Sequence, residues 1–159
     1  MPKIRRVDLD TLDDVIKDIQ SLRDRGYSQG GKWNLSQLCE HLTGTMRIGL
    51  DGTMKPLPYL ARATLGNFVF WLFTRRVSRG IAGIKTMPEL EPVDRDDDDQ
   101  EVISVCLATL QEARDRTEPI PPYALTTSAT LDQWRQMMIV HAQHHLEFLK
   151  PVDSNESVG

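Results

Sequence analysis

Apolar side chains recur with a helical period over most of the chain. Over residues 10–25 Leu12, Val15, Ile16, Ile19 and Leu22 stand three and four apart, Asp13 and Asp14 lie in the first turn, and Gly26 follows the end. That spacing puts the apolar groups on one face, and the acids meet the positive end of the helix dipole. Residues 27–33, rich in Gly and Ser, read as a loop. Asn34-Leu35-Ser36-Gln37 then has the form of a capping box opening a second helix that runs to about Leu50. Asp51-Gly52, Pro56 and Pro58 interrupt the pattern, and a third helical stretch is predicted from about Tyr59.

Residues 68–73, Phe-Val-Phe-Trp-Leu-Phe, form the most apolar segment. A bilayer span needs roughly 17–25 such residues, whereas here Arg75, Arg76 and Arg79 follow at once. The plain reading is a buried helix, with a basic interfacial membrane contact as the alternative. Gly and Pro break the periodicity over residues 80–94, which predicts a long irregular connection able to border a site. The acids Asp96 to Asp99 precede Val102, Ile103, Val105, Cys106, Leu107 and Leu110, so they are expected to supply N-terminal charge to another helix. Pro119, Pro121 and Pro122 end it. Thr130-Leu131-Asp132-Gln133 again fits a capping box, and Trp134, Met137, Met138, His141, His145 and Phe148 mark the inward stripe of the last helix.

No strand-like alternation is evident. Four principal helices and a shorter accessory segment between the second and third predict an all-α bundle over residues 1–150, with a disordered tail over 151–159. A chain of 159 residues suits a single domain. A net charge of -4 gives no electrostatic footprint for nucleic acid. The N-terminus reaches Asp8 before a signal-peptide core can form, which predicts a cytoplasmic protein with no transmembrane segment. Cys39 and Cys106 are too few for a disulfide framework and read as small hydrophobes, with a functional thiol an alternative at Cys39, two residues from His41.

The 4 histidines are confined to two predicted helices, His41 on one and His141, His144 and His145 on the other. Residues four apart stand one turn above each other, so His141 and His145 can direct two imidazoles at one ion while a facing helix supplies His41. Three neutral imidazoles with open positions suit Zn, Ni or Fe. The competing reading is a set of hydrogen-bonded core histidines, since His-x-x-x-His arises by chance on helices. His144, about 100° from His145, is expected at the pocket rim or on the surface. Gln37 and Thr45, each four residues from His41, are candidate helpers. Glu40 and Glu147 fall off the ligand face and read as solvated carboxylates.

Trp33-Asn34-Leu35-Ser36-Gln37-Leu38-Cys39-Glu40-His41-Leu42 and His141-Ala142-Gln143-His144-His145-Leu146 resemble the two histidine blocks of DinB/YfiT-like proteins in order and separation. The resemblance implies a DinB-like four-helix bundle with a divalent metal ligated by His41, His141 and His145. Characterised members include transferases and isomerases that depend on a low-molecular-weight thiol cofactor. Many members carry Arg-Gly-Gln directly after the second histidine, where this chain has Leu146-Glu147-Phe148. The expected chemistry is a metal-dependent transferase or hydrolase activating a thiol or water toward a small-molecule substrate. Two alternatives remain open. One is a non-catalytic module binding an apolar ligand among Met46, Trp134, Met137 and Met138. The other is a structural homodimer joined through residues 68–73.

Overall fold

The computed structural model describes residues 4–75 and 86–153. It is mostly helical, with a small two-stranded sheet. The long helices are α1 (Leu12–Arg25), α2 (Leu35–Asp51), α5 (Gln100–Asp115) and α6 (Leu131–Leu146). Between α2 and α5 lie α3 (Tyr59–Ala61), a π-helical segment (Arg62–Gly66), α4 (Asn67–Thr74) and a 3-10 turn (Pro88–Leu90).

The helix starts follow local side-chain chemistry. Thr11, Asn34 and Thr130 each accept a hydrogen bond from the backbone N–H three residues on, and Asp14, Gln37 and Gln133 return the bond to the cap's own N–H. These reciprocal pairs satisfy donors that the first turn of a helix leaves without partners. Asp99 caps α5 by accepting from Glu101 and Val102. Its neighbour Asp98 serves a different helix, accepting from Ser36 N–H at the start of α2 and from the Tyr27 hydroxyl, which itself accepts from Leu35 N–H. The acidic run thus ties two helix starts together.

The core lies where α2 runs against α5 and where α1 packs on α5 and α6. Val15, Ile19, Leu22, Leu35, Cys39, Ile103, Cys106, Trp134 and Leu146 are completely buried. Fully burying one large aliphatic side chain contributes about 1.5–3 kcal/mol, so this apolar seam is the main source of stability. Gly49 lets α2 approach α6 closely, because a Cβ there would come within 2.1 Å of Trp134 Nε1.

Several expectations need correction. Tyr27–Gln29 form a strand, β1, antiparallel to β2 (Leu149–Pro151), with Tyr27 opposite Pro151 and Gln29 opposite Leu149. Three residues per strand are too few to show a period of two, so the pairing left no pattern in the sequence. The expected tail is therefore ordered at its start, and Val152 N–H donates to Gly26 C=O. Phe148 lies beyond the end of α6, on the approach to β2, and its carbonyl accepts from Gly30 N–H. Residues 68–73 are helical, but Phe70 is their one buried side chain, while Phe68 and Trp71 are exposed. A run hydrophobic all round fits a core only when neighbours cover every side, and here α6 covers one. Residues 1–3, which open the N-terminal stretch, Arg76, Arg79 and the start of the expected irregular connection within 76–85, and the end of the expected tail at 154–159 lie outside the described residues.

Candidate metal centre

His41, Thr45 and Ile48, at spacings of four and three on α2, face Met137, Met138, His141, His144 and His145 on α6 across a cavity of about 220 Å³. His41 is buried. Its Nδ1 lies 2.9 Å from the Leu90 carbonyl oxygen. A carbonyl can only accept, so Nδ1 carries the proton and donates, which leaves the Nε2 lone pair free. That lone pair faces His141 Nε2 at 2.9 Å. His145 completes the group, and one ring nitrogen from each of the three histidines lies within 4.8 Å of the others.

The rings pack closely, with centroids 4.8 Å apart for both His41–His145 and His141–His145. Trp33, just before the α2 cap, closes this end, its ring stacked on His145 at 5.4 Å and tilted against His41 at 4.9 Å. The aromatic wall restricts the freedom of both imidazoles.

Electrostatics keep His41 and His141 neutral. Burial pushes the His41 pKa down against the smaller opposing effect of the Leu90 carbonyl. Burial also lowers His141, to about 3, with the charges of His41 and His144 acting in the same direction. A neutral imidazole is the form that binds a metal, so near pH 7 neither ring has a net proton to lose, and His141 has only to pass its proton from Nε2 to Nδ1.

The donor set and its spacing fit a divalent ion. Two imidazole nitrogens on a tetrahedral zinc, each about 2.0–2.1 Å from it, sit about 3.3 Å apart. His41 and His141 are about half an ångström closer than that, a separation that small rotations of the two rings would supply. The same contact is a hydrogen bond in which His141 Nε2–H donates to His41 Nε2.

Away from the histidines the cavity is walled by Val69 and Phe73 of α4, by Met87 and Leu90, and by Tyr123 and Leu125. Tyr123 Oη is buried without a hydrogen-bond partner. The described end of the expected irregular connection does border the site, through Thr86, Met87 and Leu90.

The remaining sequence candidates fall in different places. His144 lines the cavity, with its ring 5.2 Å from that of His145. Thr45 also lines it, but its hydroxyl donates to the His41 carbonyl and braces the helix. Gln37 points the other way, with its carbonyl closing the α2 capping box and its amide donating to Val93 C=O at 3.3 Å. Glu40 pairs with Arg95 and accepts from Val93 N–H. Glu147 is buried rather than solvated. Met46 and Trp134 are buried in the core and do not line the cavity, whereas Met137 and Met138 do. Cys39 is buried beside Cys106, and this contact together with burial raises its pKa well above the usual thiol range, so it is an inert core thiol. Trp33 and Leu90 were missed as site residues. A Trp eight residues before His41 was the available signal for the first, and a backbone carbonyl leaves none for the second.

No curated protein and no solved structure matches the chain. A family model does match, over residues 1–152, and on that basis the chain belongs to the family described as protein of unknown function (DUF1569).

Proposed function

We propose that the protein is a DinB-like four-helix-bundle metalloprotein that holds one divalent ion, Zn, Ni or Fe, through His41, His141 and His145. The observation that carries this reading is the convergence of three ring nitrogens at the end of an apolar cavity, with His41 fixed in its ligating tautomer by the Leu90 carbonyl. A backbone acceptor on the remote nitrogen is the usual device for orienting a histidine ligand. Three protein ligands leave a coordination position open, which is how reactive sites differ from closed structural ones. An ion held there would lower the pKa of a bound water or thiol toward neutrality. The chain's own residues would exclude bulk water through Val69, Phe73 and Met137 and would position a small substrate with an apolar body. Transfer or hydrolysis on such a substrate, with a low-molecular-weight thiol as co-substrate in the first case, is the activity we assign.

The test is metal content by elemental mass spectrometry of gently purified protein, beside the His141→Ala, His145→Ala double variant with its fold checked by circular dichroism. Near-stoichiometric metal that disappears in the folded variant is the expected result. A wild-type protein that takes up no Zn, Ni or Fe even after reconstitution overturns the reading. It would favour a non-catalytic module that uses the cavity for an apolar ligand, which the lining by Met137, Met138, Val69 and Phe73 would also suit. Binding of such a ligand would survive chelation.

A further inference from the structure

Six of the large hydrophobic side chains exposed on the described surface fall within fifteen residues: Leu57, Tyr59, Leu60, Leu65, Phe68 and Trp71. Tyr59, Leu60 and Leu65 are each about 70% exposed, at 71%, 73% and 67%. Their spacing is organised. Leu60 and Leu65 are five apart across the π-helical segment, where five residues close one turn, and Phe68 and Trp71 follow at steps of three. The Phe68 and Trp71 rings stack at 6.2 Å, as side chains on one face do. The opposite face is committed to the protein, with Phe70 buried and Val69 and Phe73 lining the histidine cavity. The close seat of this segment is set by Gly66, where a Cβ would meet the Leu125 carbonyl oxygen. The outward row is therefore a fixed feature of the fold.

Charge identifies what this face suits. Residues 52–75 contain none of the chain's 23 acidic residues but three of its 19 basic ones, Lys55, Arg62 and Arg75. Arg75 lies over the Trp71 ring at 5.2 Å, with its cation at the edge of the apolar row. A local charge of +3 within a chain of net charge -4 leaves -7 on the remainder. A second copy docked through the same face in a two-fold pair would set basic segment against basic segment, so charge disfavours self-association there. Leucine, phenylalanine, tryptophan and tyrosine flanked by arginine and lysine match the acyl and headgroup layers of an anionic bilayer.

We propose that the Leu57–Trp71 face docks on an anionic lipid surface, with Leu60, Leu65, Phe68 and Trp71 entering the interface and Lys55 and Arg75 meeting the lipid phosphates. No helix among the described residues is long and apolar enough to cross a membrane, so the contact is peripheral. The inference is independent of the metal site.

The test is flotation of the full chain with phosphatidylcholine vesicles and with vesicles containing about one-third phosphatidylglycerol, read with tryptophan fluorescence and light scattering. Flotation with the anionic vesicles alone, a blue shift of the emission, and weakening by salt are the expected results. The Leu60→Ser, Phe68→Ser variant should lose at least about tenfold in apparent affinity while its circular dichroism is unchanged. Should that variant not fold, Arg75→Glu serves instead, with a loss of several-fold expected. A folded wild-type chain that fails to float, or a folded double variant that floats equally well, overturns the proposal. So does a lipid-indifferent dimer that dissociates in the double variant, which would assign the face to a second copy.

Discussion

Trp134 and Trp71 sit in two regions that invert the usual association of polarity with exposure. Trp134 opens the same helix, α6, that carries three polar imidazoles further along, yet Trp134 is fully buried and, on the facing helix, His41 nearly so. Around Trp71, on α4, the neighbours are almost all apolar, yet Trp71 is 46% exposed and Leu60 73%. The difference lies in partners. His41 is buried because Leu90 and His141 engage both of its ring nitrogens, which offsets the desolvation that an unpaired polar group would suffer. The α4 row is exposed because α6 covers its inner face and no described element covers the outer one. Hydropathy alone reads neither region correctly.

Substitution should separate the two regions sharply. Trp134→Ala, which empties a fully buried site packed against Gly49 of α2, is expected to destabilise the protein by about 3–5 kcal/mol in urea titration. A loss below about 1 kcal/mol would mean that α6 is not packed on Gly49 as described.

A smaller effect comes from pH. His41 and His141 have pKa values lowered in the folded state, His141 to about 3. The unfolded chain takes up protons at these positions once pH falls below about 6.5, and the folded chain does not. Their contribution is therefore complete above that pH and declines as pH falls toward 3. Metal-free protein should lose about 1–2 kcal/mol through His141 between pH 7.5 and pH 5, measured against the His141→Gln variant. An equal slope in that variant would break the assignment. Bound metal should steepen the loss, because ligands must stay deprotonated to hold it.

The smallest effect is expected on the outer face. Leu60→Ser should change stability by no more than about 0.5 kcal/mol, because the side chain is 73% exposed and has little packing to lose. A loss above about 2 kcal/mol would show that another part of the chain covers this row.

Much of this organisation was legible in the sequence. The Asn34–Gln37 and Thr130–Gln133 boxes marked helix starts because a cap acts over three residues, a range that sequence records directly. His141 and His145 were legible as a pair for the same reason, being one turn apart on one helix. His41 joined them on the assumption that α2 faces α6 and on the resemblance of its block, and the structure brings the three ring nitrogens together.

What needed tertiary structure is whatever depends on groups distant along the chain. The β1–β2 pair joins residues more than a hundred positions apart, each strand too short to announce itself. The Leu90 carbonyl acts through backbone, which carries no residue code, and comes from a segment marked in sequence by its lack of pattern. Asp98 caps a helix other than the one it precedes. The sequence by itself determined which residues are apolar, which are capped and which histidines share a helix, because those follow from local geometry and composition. Only the tertiary structure decided which apolar face was covered and which was left to solvent, because burial is a relation between elements.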